Sequence, residues 1–358
     1  MNGGVIDFTS RDTHLLLNPR LPADERARLE ELATSATLVA HVWIATSGTS
    51  GALKLTALSK EALLASAEAV NQHLEAGAGD PWCCVLPTFH VGGLGIHARA
   101  LLAGSRVASI DWNASKFAEL CAAEAIPFSA LVPAQVSDLV RERLVAPPSL
   151  RAIVVGGGAL ADPLFDEARA LGWPLLRSYG MTECCSQVAT ATYTADDLQV
   201  LPHLEVRTVE DGRLAIRGSS LLTGYALFEN DTPRFVDPKV EGWFVSEDLG
   251  TVEGRLLRIA GRRGEFVKIG GESVDLKRLD RIVDEVLRTT GGDAAVFVVP
   301  DERLGAVVHL AVTGEGIAEA FETRVLPFER ARVVHRVTAI PRSPLGKLLR
   351  GKLAAELA

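Results

Sequence analysis

The run Val42-Trp43-Ile44-Ala45-Thr46-Ser47-Gly48-Thr49-Ser50-Gly51-Ala52-Leu53-Lys54 passes from an apolar stretch into hydroxyls and glycines and ends on a lysine. Glycine lets backbone N–H groups turn inward and approach an anion closely. The hydroxyls at 46, 47, 49 and 50 add donors, and Lys54 adds positive charge. Together these groups suit a triphosphate. The loop is not a Walker A loop, because no Gly-Lys-Ser/Thr closes it. Taken alone, a Ser/Gly loop after a strand is more often a plain turn.

Four other stretches carry chemistry. In Ser178-Tyr179-Gly180-Met181-Thr182-Glu183 the tyrosine offers a flat face for stacking and Glu183 a hard oxygen ligand for Mg²⁺. Its bland reading is a helix start with an acidic first turn. Pro87-Thr88-Phe89-His90-Val91-Gly92-Gly93 places a histidine before glycines, as in a pocket wall, although a lone histidine is usually a packed one. Gly242 to Gly250 holds Glu247 and Asp248, either a ribose-binding acid or a surface turn. Pro341-Arg342-Ser343-Pro344-Leu345-Gly346-Lys347 is a stiff loop ending in one lysine, or a basic tail. Gly156-Gly157-Gly158 also closes a strand. It is not read as a dinucleotide fingerprint, since the next strand ends at Ser178 without the acid that binds a ribose.

Periodicity supplies the scaffold for these groups. Residues 22–37 read as a surface helix with Leu29 and Leu32 on one side. Strands are expected at 38–46, 82–86, 106–110, 128–132, 151–155 and 175–178, and helices at 59–74, 92–102, 115–125, 134–144 and 162–171. Short apolar strands alternating with helices predict an α/β fold with a mainly parallel sheet covered on both faces. After residue 200, short strands without a long helix suggest an antiparallel meander or small barrel. Residues 261–264, Gly-Arg-Arg-Gly, form a candidate hinge, and the remaining C-terminal residues suit a small α+β domain. The expected domains are therefore 1–261 and 262–358.

The 358 residues carry a net charge of −8, which argues against nucleic acid as the main partner. No signal-peptide core and no membrane-length apolar run occur, so a cytoplasmic protein without membrane insertion is expected. The five cysteines, 83, 84, 121, 184 and 185, include no CxxC pair and read as buried small hydrophobes rather than metal ligands.

These motifs occur in the order found in the superfamily of AMP-forming acyl–CoA synthetases, over about residues 42–350. Within it the segment 86–99, Ser178–Glu183 and Gly242-Trp243-Phe244 resemble the short o-succinylbenzoate–CoA ligases of menaquinone biosynthesis. Departures such as Leu53 before Lys54, Glu247 before Asp248 and Gly264 at the hinge leave the reactive motifs in place.

The resemblance implies two half-reactions with ATP, Mg²⁺ and coenzyme A as a substrate, releasing pyrophosphate and AMP. It implies that Thr46, Ser47, Gly48, Thr49, Ser50, Gly51 and Lys54 hold the phosphates, that Glu183 binds Mg²⁺, and that Thr182 stands near the α-phosphate. Gly157, Gly158, Ser178, Tyr179 and Gly180 would frame adenine, and Asp248 and Arg262 the ribose. Lys347 would come from a mobile C-terminal domain to bridge carboxylate and α-phosphate, and Lys268 and Gly271 would replace it for the thiol step. His90 would gate an acyl pocket walled by Gly92, Gly93 and Gly158. Arg99 is a candidate partner for the succinyl carboxylate, or a solvent-facing helix residue. Another aryl or short acid, or a carrier protein in place of CoA, remains an alternative. Relatives often pair, which is compatible with a homodimer.

Overall fold

In the computed structural model, residues 6–19, 21, 23–47, 53–158, 160–262, 266–269, 272–301, 305–325, 329–343 and 348–357 are described. Strands Val107–Ser109, Trp82–Cys84, Phe128–Leu131, Ala152–Val155 and Leu175–Met181 lie side by side in that order, each neighbouring pair parallel. Their side chains alternate between two faces. Ile153 and Val155 join a core with Phe117, Val136, Phe165 and Trp173. Ala152 and Val154 join another with Trp82, Ile96 and Phe128. Both faces are thus covered, which explains the near-continuous apolar runs of the sequence.

The helices between these strands are fixed by local chemistry. Lys60–Leu74 starts where the Ser59 hydroxyl accepts from the Ala62 N–H, satisfying one orphan donor. Val91–Ala103 stops at Gly104, whose φ of 61° is the left-handed conformation that glycine adopts at little cost.

Of the two arrangements expected after residue 200, the antiparallel one forms. Ser186–Thr190, Leu198–Val200, Leu256–Arg262, Phe244–Glu253, Arg213–Gly218 and Leu204–Thr208 continue the parallel block into one eleven-stranded sheet. The reason is the tight turn at Thr182–Cys184, which returns the chain antiparallel against Leu175–Met181. The later strands add to that free edge, and among the described residues no barrel closes.

A second sheet has the order His14–Leu16, His41–Ser47, Leu53–Ser59, Gly224–Glu229, Thr232–Val236. Strand Leu53–Ser59 is not among the strands that periodicity predicts, which run from the loop straight to the helix. Leu55 and Ala57 pack with Trp43 under Leu29 and Leu32 of helix Ala23–Ala33, while Leu58 packs with Val42 and Ile44.

Two compact units divide the chain, Met1–Ser246 with Gly250–Ile259, and Glu247–Leu249 with Ala260–Ala358. The second holds a three-stranded sheet, Ala294–Asp301, Gly305–Val312 and Val333–Arg336, and helix Leu276–Thr290. Val296, Val308 and Leu310 meet Leu279 and Val286 on one face, and Phe297 meets Ile340 and Leu353 on the other. A last helix, Arg350–Leu357, follows. All five cysteines are buried, and no described helix is long and apolar enough to cross a membrane.

Candidate active site

The parallel strands Phe128–Leu131, Ala152–Val155 and Leu175–Met181 end on the same edge, where open α/β sheets bind ligands. Gly156, Gly157 and Gly158 come directly after the middle one. Gly157 has φ +77°, and a side chain there would also meet Val132 Cγ1 at 3.3 Å. Gly158 faces Pro133, and Gly156 lies 3.9 Å, measured from an ideal Cβ, from the Ser178 carbonyl. The GGG turn and the Ser178–Gly180 segment are therefore neighbours.

Gly180 has a structural reason for its identity. A Cβ there would stand 1.9 Å from the Ser186 carbonyl oxygen of the adjoining strand. The register also shifts between Tyr179 and Gly180, which re-aims the strand before the turn that carries Thr182 and Glu183. Ser178 Oγ donates to the Ala189 carbonyl at 3.3 Å and accepts from Thr190 Oγ1 at 3.2 Å.

Lys54 is delivered by the hairpin His41–Ser47/Leu53–Ser59, in which it pairs with Thr46. Thr46 Oγ1 lies 3.2 Å from Thr56 Oγ1. Strand Gly224–Glu229 runs antiparallel beside Lys54's strand and sets Tyr225 opposite Thr56. The Tyr225 hydroxyl donates to Glu183 Oε1 at 2.7 Å, and the Leu222 N–H donates to the Glu183 carbonyl at 2.8 Å. Lys54 Nζ lies 3.4 Å from the centre of the Tyr225 ring and 3.8 Å from Glu183 Oε1. The fold thus joins Lys54 and Glu183 through a tyrosine that sequence reasoning missed. Its signal was a single hydroxyl-tipped aromatic in the apolar run 221–228.

Glu183 fits a hard divalent cation. Its second carboxylate oxygen has no partner among the described residues, and no described cluster of three or more His, Cys, Asp or Glu competes for a metal. One carboxylate completed by phosphate oxygens is the usual Mg²⁺ arrangement.

His90 is the residue just before helix Val91–Ala103. Its Nε2 is buried without a hydrogen-bond partner among the described residues, and burial pulls its pKa below the ordinary value, favouring the neutral ring. Phe89 leans on it with ring centres 4.7 Å apart. At Gly93 a Cβ would lie 2.4 Å from the carbonyls of Leu86 and Pro87, so only glycine lets the helix start close to this loop. A Cβ at Gly92 would meet Leu86 Cδ1 at 3.2 Å.

Arg99 does not face solvent; it is 1% exposed. One amino group, Nη2, donates to Ser186 Oγ at 3.4 Å, while Nε and Nη1 are buried with no partner among the described residues. Burial lowers its pKa to about 10, which still leaves it charged at neutral pH. A buried cation with open donors is costly unless an anion comes to it.

Asp248 sits within strand Phe244–Glu253 rather than at a strand end, and it belongs to the second compact unit. Gly48, Thr49, Ser50, Gly51, Gly271 and Lys347 lie outside the described residues, as do the side chains of Ser47, Arg262 and Lys268.

A strand-edge site with a lysine, a tyrosine-held carboxylate and a glycine-walled turn defines a nucleotide-handling enzyme. Residues 33–226 match the family model of the AMP-binding enzymes, and the chain belongs to that family. The probable 2-succinylbenzoate–CoA ligase of Mycobacterium tuberculosis (strain H37Rv) is 32% identical over 338 residues, covering 88% of this chain and 84% of its own. The 2-succinylbenzoate–CoA ligase of Listeria monocytogenes serotype 4b (strain F2365) is 28% identical over 324 residues, with coverages of 86% and 68%. The fold is like that of o-succinylbenzoate CoA synthetase from Bacillus subtilis, solved in complex with the acyl-adenylate intermediate OSB-AMP. The TM-score is 0.77 at 24% identity, over 87% of this chain and 68% of that one.

Proposed function

We propose that this enzyme is a cytoplasmic, ATP-dependent ligase that converts o-succinylbenzoate to its CoA thioester in menaquinone biosynthesis. The observation that carries the substrate is Arg99, a buried guanidinium with two donor nitrogens that no described residue satisfies. Such a group suits an acid with a second carboxylate, held away from the one that reacts. o-Succinylbenzoate has two carboxylates; benzoate has one. The relatives named 2-succinylbenzoate–CoA ligase support the same choice.

In the first half-reaction a carboxylate oxygen attacks the α-phosphorus of ATP, and pyrophosphate leaves. In the second the CoA sulfur attacks the acyl carbonyl, and AMP leaves. Charge builds on phosphate oxygens, so fixed donors and cations are the main contribution of the protein. Thr46, the 47–51 loop and Lys54 take the β- and γ-phosphates, with Thr182 near the α-phosphate. Mg²⁺, held by Glu183, would neutralise phosphate charge. Gly157, Gly158, Ser178, Tyr179 and Gly180 frame adenine, and Asp248 and Arg262 hold the ribose. His90, Gly92 and Gly93 border the acyl group. Lys347 serves adenylation from the small C-terminal domain, which then turns near Gly264 so that Lys268 and Gly271 serve the thiol step.

Pyrophosphate release with ATP, Mg²⁺ and CoA, across acids that include o-succinylbenzoate and benzoate, tests this reading. Selective turnover of o-succinylbenzoate, with its CoA ester seen by mass spectrometry, is expected. Turnover of other acids alone removes the substrate, and adenylate without a CoA ester points to a carrier-protein acceptor.

A further inference from the structure

We infer that Tyr225 is a positioning residue that parks Lys54 on Glu183 as an internal cation, to be exchanged for a divalent ion when the nucleotide arrives. This rests on the proposed reading of Glu183 as the metal-binding carboxylate.

Three contacts define the parked state. The phenol holds Glu183 Oε1 at 2.7 Å, its ring carries Lys54 Nζ at 3.4 Å, and the ammonium is 3.8 Å from the same carboxylate oxygen. The Lys54 and Glu183 side chains are 21% and 17% exposed, so screening by water is partial. An ammonium over an aromatic face and beside a carboxylate is attracted by both. The tyrosine itself is anchored in the core with Val42, Leu58 and Phe244, and its strand is registered to that of Lys54. The lysine therefore has a fixed resting place on the carboxylate.

The exchange has a consequence for charge. Once Glu183 takes a divalent cation, Lys54 is repelled by the new charge and its attraction to the carboxylate is spent. It is then released toward the phosphates that accompany the metal. One lysine thus covers the carboxylate in the empty enzyme and the phosphates in the loaded one. Metal and nucleotide become coupled through it, because each removes what opposes the other.

Mn²⁺ is the probe, titrated without nucleotide, acid or CoA, with the free ion read by electron paramagnetic resonance. Lys54→Met should bind Mn²⁺ about tenfold more tightly than the parent enzyme, since no ammonium competes for Glu183. Lys54→Gln serves if the methionine variant does not fold. In a Tyr225→Leu background the same lysine substitution should gain less than about threefold, because the lysine is no longer held. If Tyr225→Leu does not fold, Tyr225→Phe must still show a smaller gain than the tyrosine protein. A Lys54 variant that binds Mn²⁺ no more tightly overturns the inference, and so does an undiminished gain without Tyr225. A merely structural tyrosine would not change the effect of Lys54 on metal binding. Neither result depends on which acid the enzyme uses, which the pyrophosphate assay decides separately.

Discussion

Arg99 lies against Trp82, with its guanidinium carbon 5.3 Å from the ring centre, and reaches Ser186 Oγ at 3.4 Å. Strand Trp82–Cys84 and the first residue of strand Ser186–Thr190 thereby hold one charge between them. Gly95 lets it lie there, since a Cβ at that position would be 3.1 Å from Nη2.

Arg99→Met should cut kcat/KM for o-succinylbenzoate by about 100-fold, the scale of a lost charge-assisted hydrogen bond in a dry site. Turnover of an acid with one carboxylate should fall far less. The thermal midpoint should hold or rise, because a buried, under-satisfied charge is replaced by an apolar chain of similar length. Equal losses for both kinds of acid would remove Arg99 from substrate recognition.

Gly180→Ala should destabilise the large unit by about 1–3 kcal/mol, since its methyl carbon would overlap the Ser186 carbonyl and force the two strands apart. Denaturant midpoints give the stability. Nucleotide binding, read by calorimetry, should weaken as well, because the displaced strand leads directly into Thr182 and Glu183.

Lys347→Ala should slow adenylation by roughly two to three orders of magnitude, the scale of one charge-stabilising donor. Thioester formation from preformed acyl-adenylate should be largely retained. Single-turnover assays of the two halves separate these, and equal losses would reject the assigned role.

Stability should fall on acidification between pH 6.5 and about 4, in part through His203. Burial holds its pKa down to about 4, against an ordinary 6.5. The folded ring stays neutral, with Nε2 2.9 Å from Ser220 Oγ and Nδ1 buried without a partner among the described residues. Unfolding lets the ring take a proton, so its contribution is complete above pH 6.5 and lost as the pH drops toward 4. Thermal midpoints measured across that range should fall less steeply in His203→Gln. Parallel curves would assign the acid sensitivity to other groups.

Features that depend on local order were legible along the chain. Apolar runs such as Ala152–Val155 and the amphipathic segment Lys60–Leu74 specify strand and helix through side-chain periodicity and capping, which near neighbours decide. The ordered motifs around Lys54, Tyr179–Glu183 and His90 carried the family, because the chemistry lies in residue type and spacing. Features that depend on distant segments meeting emerged only on folding. Leu198–Val200, Leu204–Thr208, Arg213–Gly218, Phe244–Glu253 and Leu256–Arg262 extend one sheet, and no barrel closes among the described residues, since the edge left by the turn at Thr182–Cys184 was available to them. Arg99 looked like either a ligand or a solvent-facing helix residue, and only packing against Trp82 and Ser186 made it a buried charge. Tyr225 carried no motif of its own. Its place between Lys54 and Glu183 exists because Gly224–Glu229 pairs with Leu53–Ser59, a long-range register that no local pattern encodes.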